Sequence, residues 1–144
     1  MIRMFCFLVT AVSMFPVEAL AQAPLGITDI TANGRIAGIV SAPAVNAGES
    51  CVVVYVHTDI WYIHPYAAGG EGRSWAKITG KDWSIPTVKR EFPANQVAAI
   101  LLRKNHAGDC PAPAKLESID AVERIIGAPF VKPLSTGDAW YGRL

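Results

Sequence analysis

Cys51-Val52-Val53-Val54-Tyr55-Val56-His57-Thr58 is the stretch that decides the fold. Its β-branched and aromatic residues have stiff side chains that suit a pleated strand. The apolar run is too continuous to leave one face to water, so it predicts a central strand covered on both sides. Asp59 interrupts the run. Trp61-Tyr62-Ile63-His64 then resumes in extended form up to Pro65.

Working outward, the pattern remains one of short strands. Upstream, Arg35 to Val40 is apolar with one Gly, and Pro43 and Asn46-Ala47-Gly48 supply turn signals. Downstream, Gly69-Gly70-Glu71-Gly72 reads as a loop or hairpin tip. Ser74 to Ile78 and Trp83 to Ile85 alternate large apolar with small or polar residues, and Pro86 marks a strand end. Val97 to Arg103 reads as a strand because it is short, follows Pro93 and precedes the loop Asn105 to Asp109. Between Lys115 and Ile126 the period changes. Leu116, Ile119, Val122, Ile125 and Ile126 fall on one helical face, with Gly127 and Pro129 as stop signals, so a helix is expected over 115–126. About seven strands with turns between them predict an all-β fold, an antiparallel immunoglobulin-like β-sandwich with a short C-terminal helix. A five-stranded barrel is the alternative. The domain is expected over residues 26–134, followed by a tail, 135–144, that carries Trp140 and Tyr141.

The 144 residues allow one domain, two at most, and 51% hydrophobic against 17% charged residues is enough for a packed core. A net charge of +1 offers no field to gather phosphates, which removes nucleic acid as an expected partner. Residues 1–21 have the parts of a signal peptide: Arg3, an uncharged apolar stretch from Phe5 to Phe15, and Ala19-Leu20-Ala21 before the expected cut. The apolar stretch is shorter than the roughly 20 residues of a membrane span, so a permanent anchor is the weaker reading and no stable span is expected after cleavage. The expected location is periplasmic or secreted. Cleavage removes Cys6 and leaves Cys51 and Cys110, and an even pair in an exported chain reads as a disulfide. Closing a loop of about 60 residues is worth about 4 kcal/mol by the chain-entropy argument.

The pattern Val54 to Pro65, then Ser74-Trp75-Ala76-Lys77-Ile78, then Trp83 to Arg90 and Val97 to Ala99, resembles small exported bacterial β-sandwich domains that stand alone or beside surface and carbohydrate-active modules. The resemblance covers about residues 36–103. The Trp61-Tyr62 to Pro65 block is its most specific part. In similar domains a Gly usually sits directly before the second tryptophan motif, where this chain has Lys81-Asp82. The resemblance implies a fold and a location but no reaction.

Three constellations could carry chemistry. Trp61, Tyr62, His64, Tyr66, Trp75 and Trp83 are dense in aromatic rings, which bind sugars by their faces and anchor protein contacts. Alternation puts Trp61 and Ile63 on one face and Tyr62 and His64 on the other. We expect Trp61, Ile63 and Trp83 inside, and Tyr62, His64, Tyr66, Trp75 and Arg90 as the ligand-binding set. His57, Asp59 and His64 could supply three zinc ligands, although a strand-end Asp more often caps its own turn. Serine hydrolysis lacks its Gly-x-Ser-x-Gly elbow, and no cofactor motif is present. The functional expectation is therefore an exported, non-catalytic binding module for a carbohydrate or another envelope protein. An accessory structural subunit of an envelope assembly and a metal-dependent hydrolase built on His57, Asp59 and His64 are the alternatives.

Overall fold

A computed structural model describes residues 24–31, 34–41, 46–64, 74–87 and 94–134. The expected signal peptide, the Gly69 to Gly72 loop, Tyr66, Arg90 and the Trp140-Tyr141 tail lie outside them. Nearly all of the regular structure among the described residues is strand: β1 (Leu25–Thr31), β2 (Arg35–Val40), β3 (Ser50–His57), β4 (Trp61–Ile63), β5 (Ala76–Thr79), β6 (Asp82–Pro86), β7 (Gln96–Arg103), β8 (Lys115–Leu116) and β9 (Phe130–Pro133). All pairings are antiparallel. No helix among the described residues is long and apolar enough to cross a membrane.

β3 is the central strand its composition calls for. β7 pairs with it along one edge from Ser50↔Arg103 to His57↔Gln96. Its other edge is shared: β5 takes Cys51 and Val52, and β4 takes Tyr55 to His57. Cys51 to Tyr55 and Val97 to Leu102 are completely buried because both faces of this pair are covered. β5 then turns the corner. Ala76 and Lys77 pair with β3, while Ile78 and Thr79 pair with Trp83 and Asp82 of β6. The result is one curled sheet, β1-β2-β6-β5-β3-β4-β8 with β7 and β9 beyond the other edge of β3, rather than the two unlinked sheets expected of a sandwich.

The curl encloses one apolar cluster, in which Leu25, Ile36, Val40, Trp83 and Ile85 face Val52, Val54, Val97, Ala99 and Leu101. Gly38 makes this packing possible. It lies opposite Trp83 in the β2–β6 ladder, and a Cβ there would sit 2.7 Å from the indole and collide with the Gly26 carbonyl. The Trp83 N–H is buried and finds no acceptor among the described residues.

A second cluster lies on the opposite face of β3 and β7. There Val53, Tyr55, Ala98, Ile100 and Leu102 are covered by Cys110, Leu116, Ile119 and Val122 from the segment after β7. The expected disulfide is present, joining Cys51 to Cys110 across 59 residues of sequence with a Cα separation of 6.6 Å. The expected helix over 115–126 is not. Lys115 and Leu116 are β8, and Ser118 is extended and caps a single 3-10 turn at Ile119–Ala121. Arg124 has φ of 59° and Ile125 bridges to Leu102. The spacing of three identified the buried residues but not their backbone. A strand end followed by a 3-10 turn also brings i, i+3 and i+6 to one side, because a 3-10 turn has three residues per turn.

Candidate functional site

The tip of the β3–β4 hairpin, Thr58-Asp59-Ile60, brings together two of the residues singled out in the sequence, Asp59 and Tyr62, and lies next to a third, His57. The turn is closed by the Thr58 N–H, which donates to the Ile60 carbonyl at 3.1 Å. The Thr58 hydroxyl donates to Asp59 Oδ1 at 2.6 Å. That bond, with the backbone N–H groups of Asp59 and Ile60 and the Tyr62 hydroxyl, favours the charged carboxylate and lowers the Asp59 pKa to about 2. Tyr62 is the other half of the arrangement. Partial desolvation, and the nearby Asp59 carboxylate, whose negative charge favours the neutral phenol, raise its pKa above the ordinary phenol value. One edge of its ring packs on the enclosed core. Lys115, its cross-strand partner in the β4–β8 ladder, holds its ammonium 5.6 Å from the ring centroid.

His57 belongs to a different face. It alternates with Val53 and Tyr55, and its ring meets Trp61 edge-on with centroids 4.9 Å apart. Asn95, just before β7, donates from Nδ2 to the Thr58 carbonyl at 3.5 Å and sets its Oδ1 2.8 Å from His57 Nδ1. A carbonyl can only accept, so the Thr58 oxygen fixes which way the amide points. Nδ1 is therefore assigned the proton in neutral His57, and Nε2 keeps the lone pair.

The two faces separate the expected site residues. Trp61, Ile63 and Trp83 are buried as expected. Tyr62 and Trp75 are half-buried, and they lie on opposite faces of the sheet. Tyr62 packs toward the enclosed core and Trp75 toward the second cluster. Trp75 also has a lysine over its ring, Lys104 at 5.5 Å, whose ammonium donates to the Gly48 carbonyl at 2.9 Å. His64, expected in the binding set, is instead fully buried; its N–H donates to the Val54 carbonyl, which carries the β3–β4 ladder one step inward. The period-two alternation gave its face correctly but could not show that this face closes over at that level.

The same register takes apart the zinc reading. His57 and His64 stand on opposite faces, about 10 Å apart along the strand. Asp59 is committed to Thr58 and Tyr62, and no group of three ligating side chains occurs among the described residues. Asp59 acts as the turn cap that its strand-end position suggests. Sequence reasoning missed Asn95, Lys104 and Lys115. Each reaches its aromatic or imidazole partner from a distant part of the chain, and no local motif announces that. No family model, curated protein sequence or solved structure matches the chain.

Proposed function

We propose that the chain is an exported, non-catalytic interaction module that contacts another envelope protein along its β4–β8 edge, with Tyr62 as the anchor. The reading starts from the disulfide, which suits an oxidising compartment, and from the sequence of residues 1–21. The observation that carries it is the setting of Tyr62. The half-exposed ring packs against the core, with the Asp59 carboxylate near its hydroxyl and Lys115 over its face. A rigid amphipathic ring rimmed by one positive and one negative side chain loses little entropy on binding and matches the make-up of interface anchors. Carbohydrate recognition is favoured less. A sugar stacks on an open ring face, and lysines stand over Tyr62 and over Trp75. The two rings also lie on opposite sides of the sheet and cannot share one saccharide chain.

Cross-linking the purified protein to an envelope extract, followed by identification of the captured proteins, tests the reading. Tyr62→Ala should cut capture of a specific partner at least tenfold, while Thr79→Ala at the exposed end of β5 leaves it unchanged. Capture that ignores Tyr62 would remove the proposal. Saturable binding to a polysaccharide array that is lost in Trp75→Ala would replace it with the carbohydrate reading.

A further inference from the structure

We infer that residues 104–124 form a redox-held strap: the Cys51–Cys110 bridge keeps it on the outer face of β3 and β7, and reduction by a dithiol lets it lift off as a unit while the curled sheet stays folded. The two apolar clusters carry the argument. They share the strands β3 and β7 but draw on opposite faces, and every buried strap residue, Cys110, Leu116, Ile119 and Val122, belongs to the outer cluster. The enclosed cluster receives nothing from residues 104–124. The β3–β7 ladder beneath the strap is complete without it.

The strap is poorly tied by its own backbone. Its β-pairing with the sheet is the two-residue β8 ladder to β4 and, just past its end, the single Leu102–Ile125 bridge. Beyond these, Lys104 N–H donates to the Glu49 carbonyl at 2.8 Å, Ile63 N–H to Ala114 at 3.0 Å and Arg103 N–H to Arg124 at 3.0 Å. The Tyr55 hydroxyl donates to the Pro113 carbonyl at 2.8 Å, and the Lys104 ammonium donates to the Gly48 carbonyl at 2.9 Å. Pro111 and Pro113 have no N–H to give. Much of what remains is internal to the strap. Asn105 Oδ1 accepts from Ala107 and Asp109, and Arg124 Nη2 donates to the Pro111 carbonyl at 3.1 Å, so the segment holds its own shape. A segment with its own internal bonds and few bonds outward opens as one piece. The covalent bridge near its start is the strongest single tie.

The chemistry balances with a dithiol as reductant. One thiolate of the dithiol attacks the bridge and displaces one cysteine as thiolate. The second thiolate resolves the mixed disulfide, so the dithiol is oxidised to a disulfide and Cys51 and Cys110 are released as thiols with two electrons and two protons gained. Cys51 is wholly buried and Cys110 is 3% exposed, so the sulfurs are reached only when the strap opens. Opening therefore gates reduction, and reduction then removes the tie that would close the strap again. The face uncovered is Val53, Tyr55, Ala98, Ile100 and Leu102, a contiguous apolar surface in register across two strands.

Native-state trypsin digestion of the full chain tests the inference, with dithiothreitol as the dithiol. Lys115 and Arg124 lie in the strap, and Lys77 and Lys81 mark the sheet body at β5 and the turn after it. With the dithiol present, cleavage after Lys115 and Arg124 should accelerate at least tenfold, while cleavage after Lys77 and Lys81 stays within twofold. Amide exchange in β2 and β6 should remain slow. Unchanged cleavage in the strap overturns the inference, and so does a common acceleration at all four sites, which would mean that the bridge holds up the whole fold. The Cys51→Ala/Cys110→Ala double variant, without reductant, should reproduce the strap-only pattern. A double variant that is unfolded or fully protected also overturns it.

Discussion

Gly38→Ala should destabilise the protein by about 2–3 kcal/mol, a large effect for one methyl group. The methyl would sit 2.7 and 2.8 Å from two ring carbons of Trp83, where ordinary contact begins near 3.4 Å, so the indole must shift by roughly half an ångström or more. Trp83 is 2% exposed and enclosed by the curl, so the shift is passed on to its neighbours. On the other side the methyl meets the Gly26 carbonyl of β1, which is backbone and cannot rotate away. The overpacking cost therefore belongs near the top of its usual range of about 1–3 kcal/mol, offset by up to about 1 kcal/mol because alanine restricts the unfolded chain more than glycine. The assay is urea denaturation followed by circular dichroism, repeated for Trp83→Leu and for the double variant. Trp83→Leu alone should cost about 2 kcal/mol or more through the space it leaves. In the double variant the methyl finds part of that space, so the two losses should fall short of additivity by about 1 kcal/mol. A Gly38→Ala protein within about 0.5 kcal/mol of wild type, or strict additivity in the cycle, would refute the packing argument.

Burial raises the Tyr55 pKa above its ordinary value, so the folded protein keeps a proton that the unfolded chain releases near pH 10. That contribution is complete below pH 10 and is lost as the pH rises beyond it; stability measured between pH 9 and 11 should fall less steeply in Tyr55→Phe, which also loses about 1 kcal/mol with the bond to Pro113. The Asp59 carboxyl is depressed to about 2, so its stabilising contribution is present above the unfolded value near 4 and disappears as the pH falls through 2. Removing the Thr58 hydroxyl in Thr58→Val should move the Asp59 titration upward when followed by carboxyl NMR, and an unchanged midpoint would contradict the assigned bond. In neutral His57 the nitrogen chemical shifts should show Nδ1 protonated, and Asn95→Ala should shift the balance toward Nε2–H.

Much of the fold was legible because burial leaves a periodic trace. β3 announced itself through an unbroken β-branched run, and Trp61, Ile63 and Trp83 were placed inside by alternation. The Cys51–Cys110 pair followed from counting cysteines once the first 21 residues were read as a leader. What failed depended on information outside any local window. Leu116, Ile119 and Val122 were rightly grouped, yet the strand pairing of β8 to β4 and the left-handed Arg124 took precedence over helix formation. His64 looked like a surface residue because nothing in Trp61 to Pro65 shows that its N–H meets Val54 in the middle of β3. The ammonium groups over Tyr62 and Trp75 come from positions 53 and 29 residues further along the chain, and only the register brings them there.

The corner at β5 sets a rule for which changes in chain length this architecture can absorb. Ala76 and Lys77 serve one half of the sheet, Ile78 and Thr79 the other, and Ala76 and Ile78 both point inward. Deleting one residue there would turn a core side chain out to water and shift two ladders at once. Insertions and deletions should therefore be rejected within these four positions, and insertions accepted between Gly80 and Lys81, where a lengthened loop can leave the Lys81 carbonyl on the Val40 N–H.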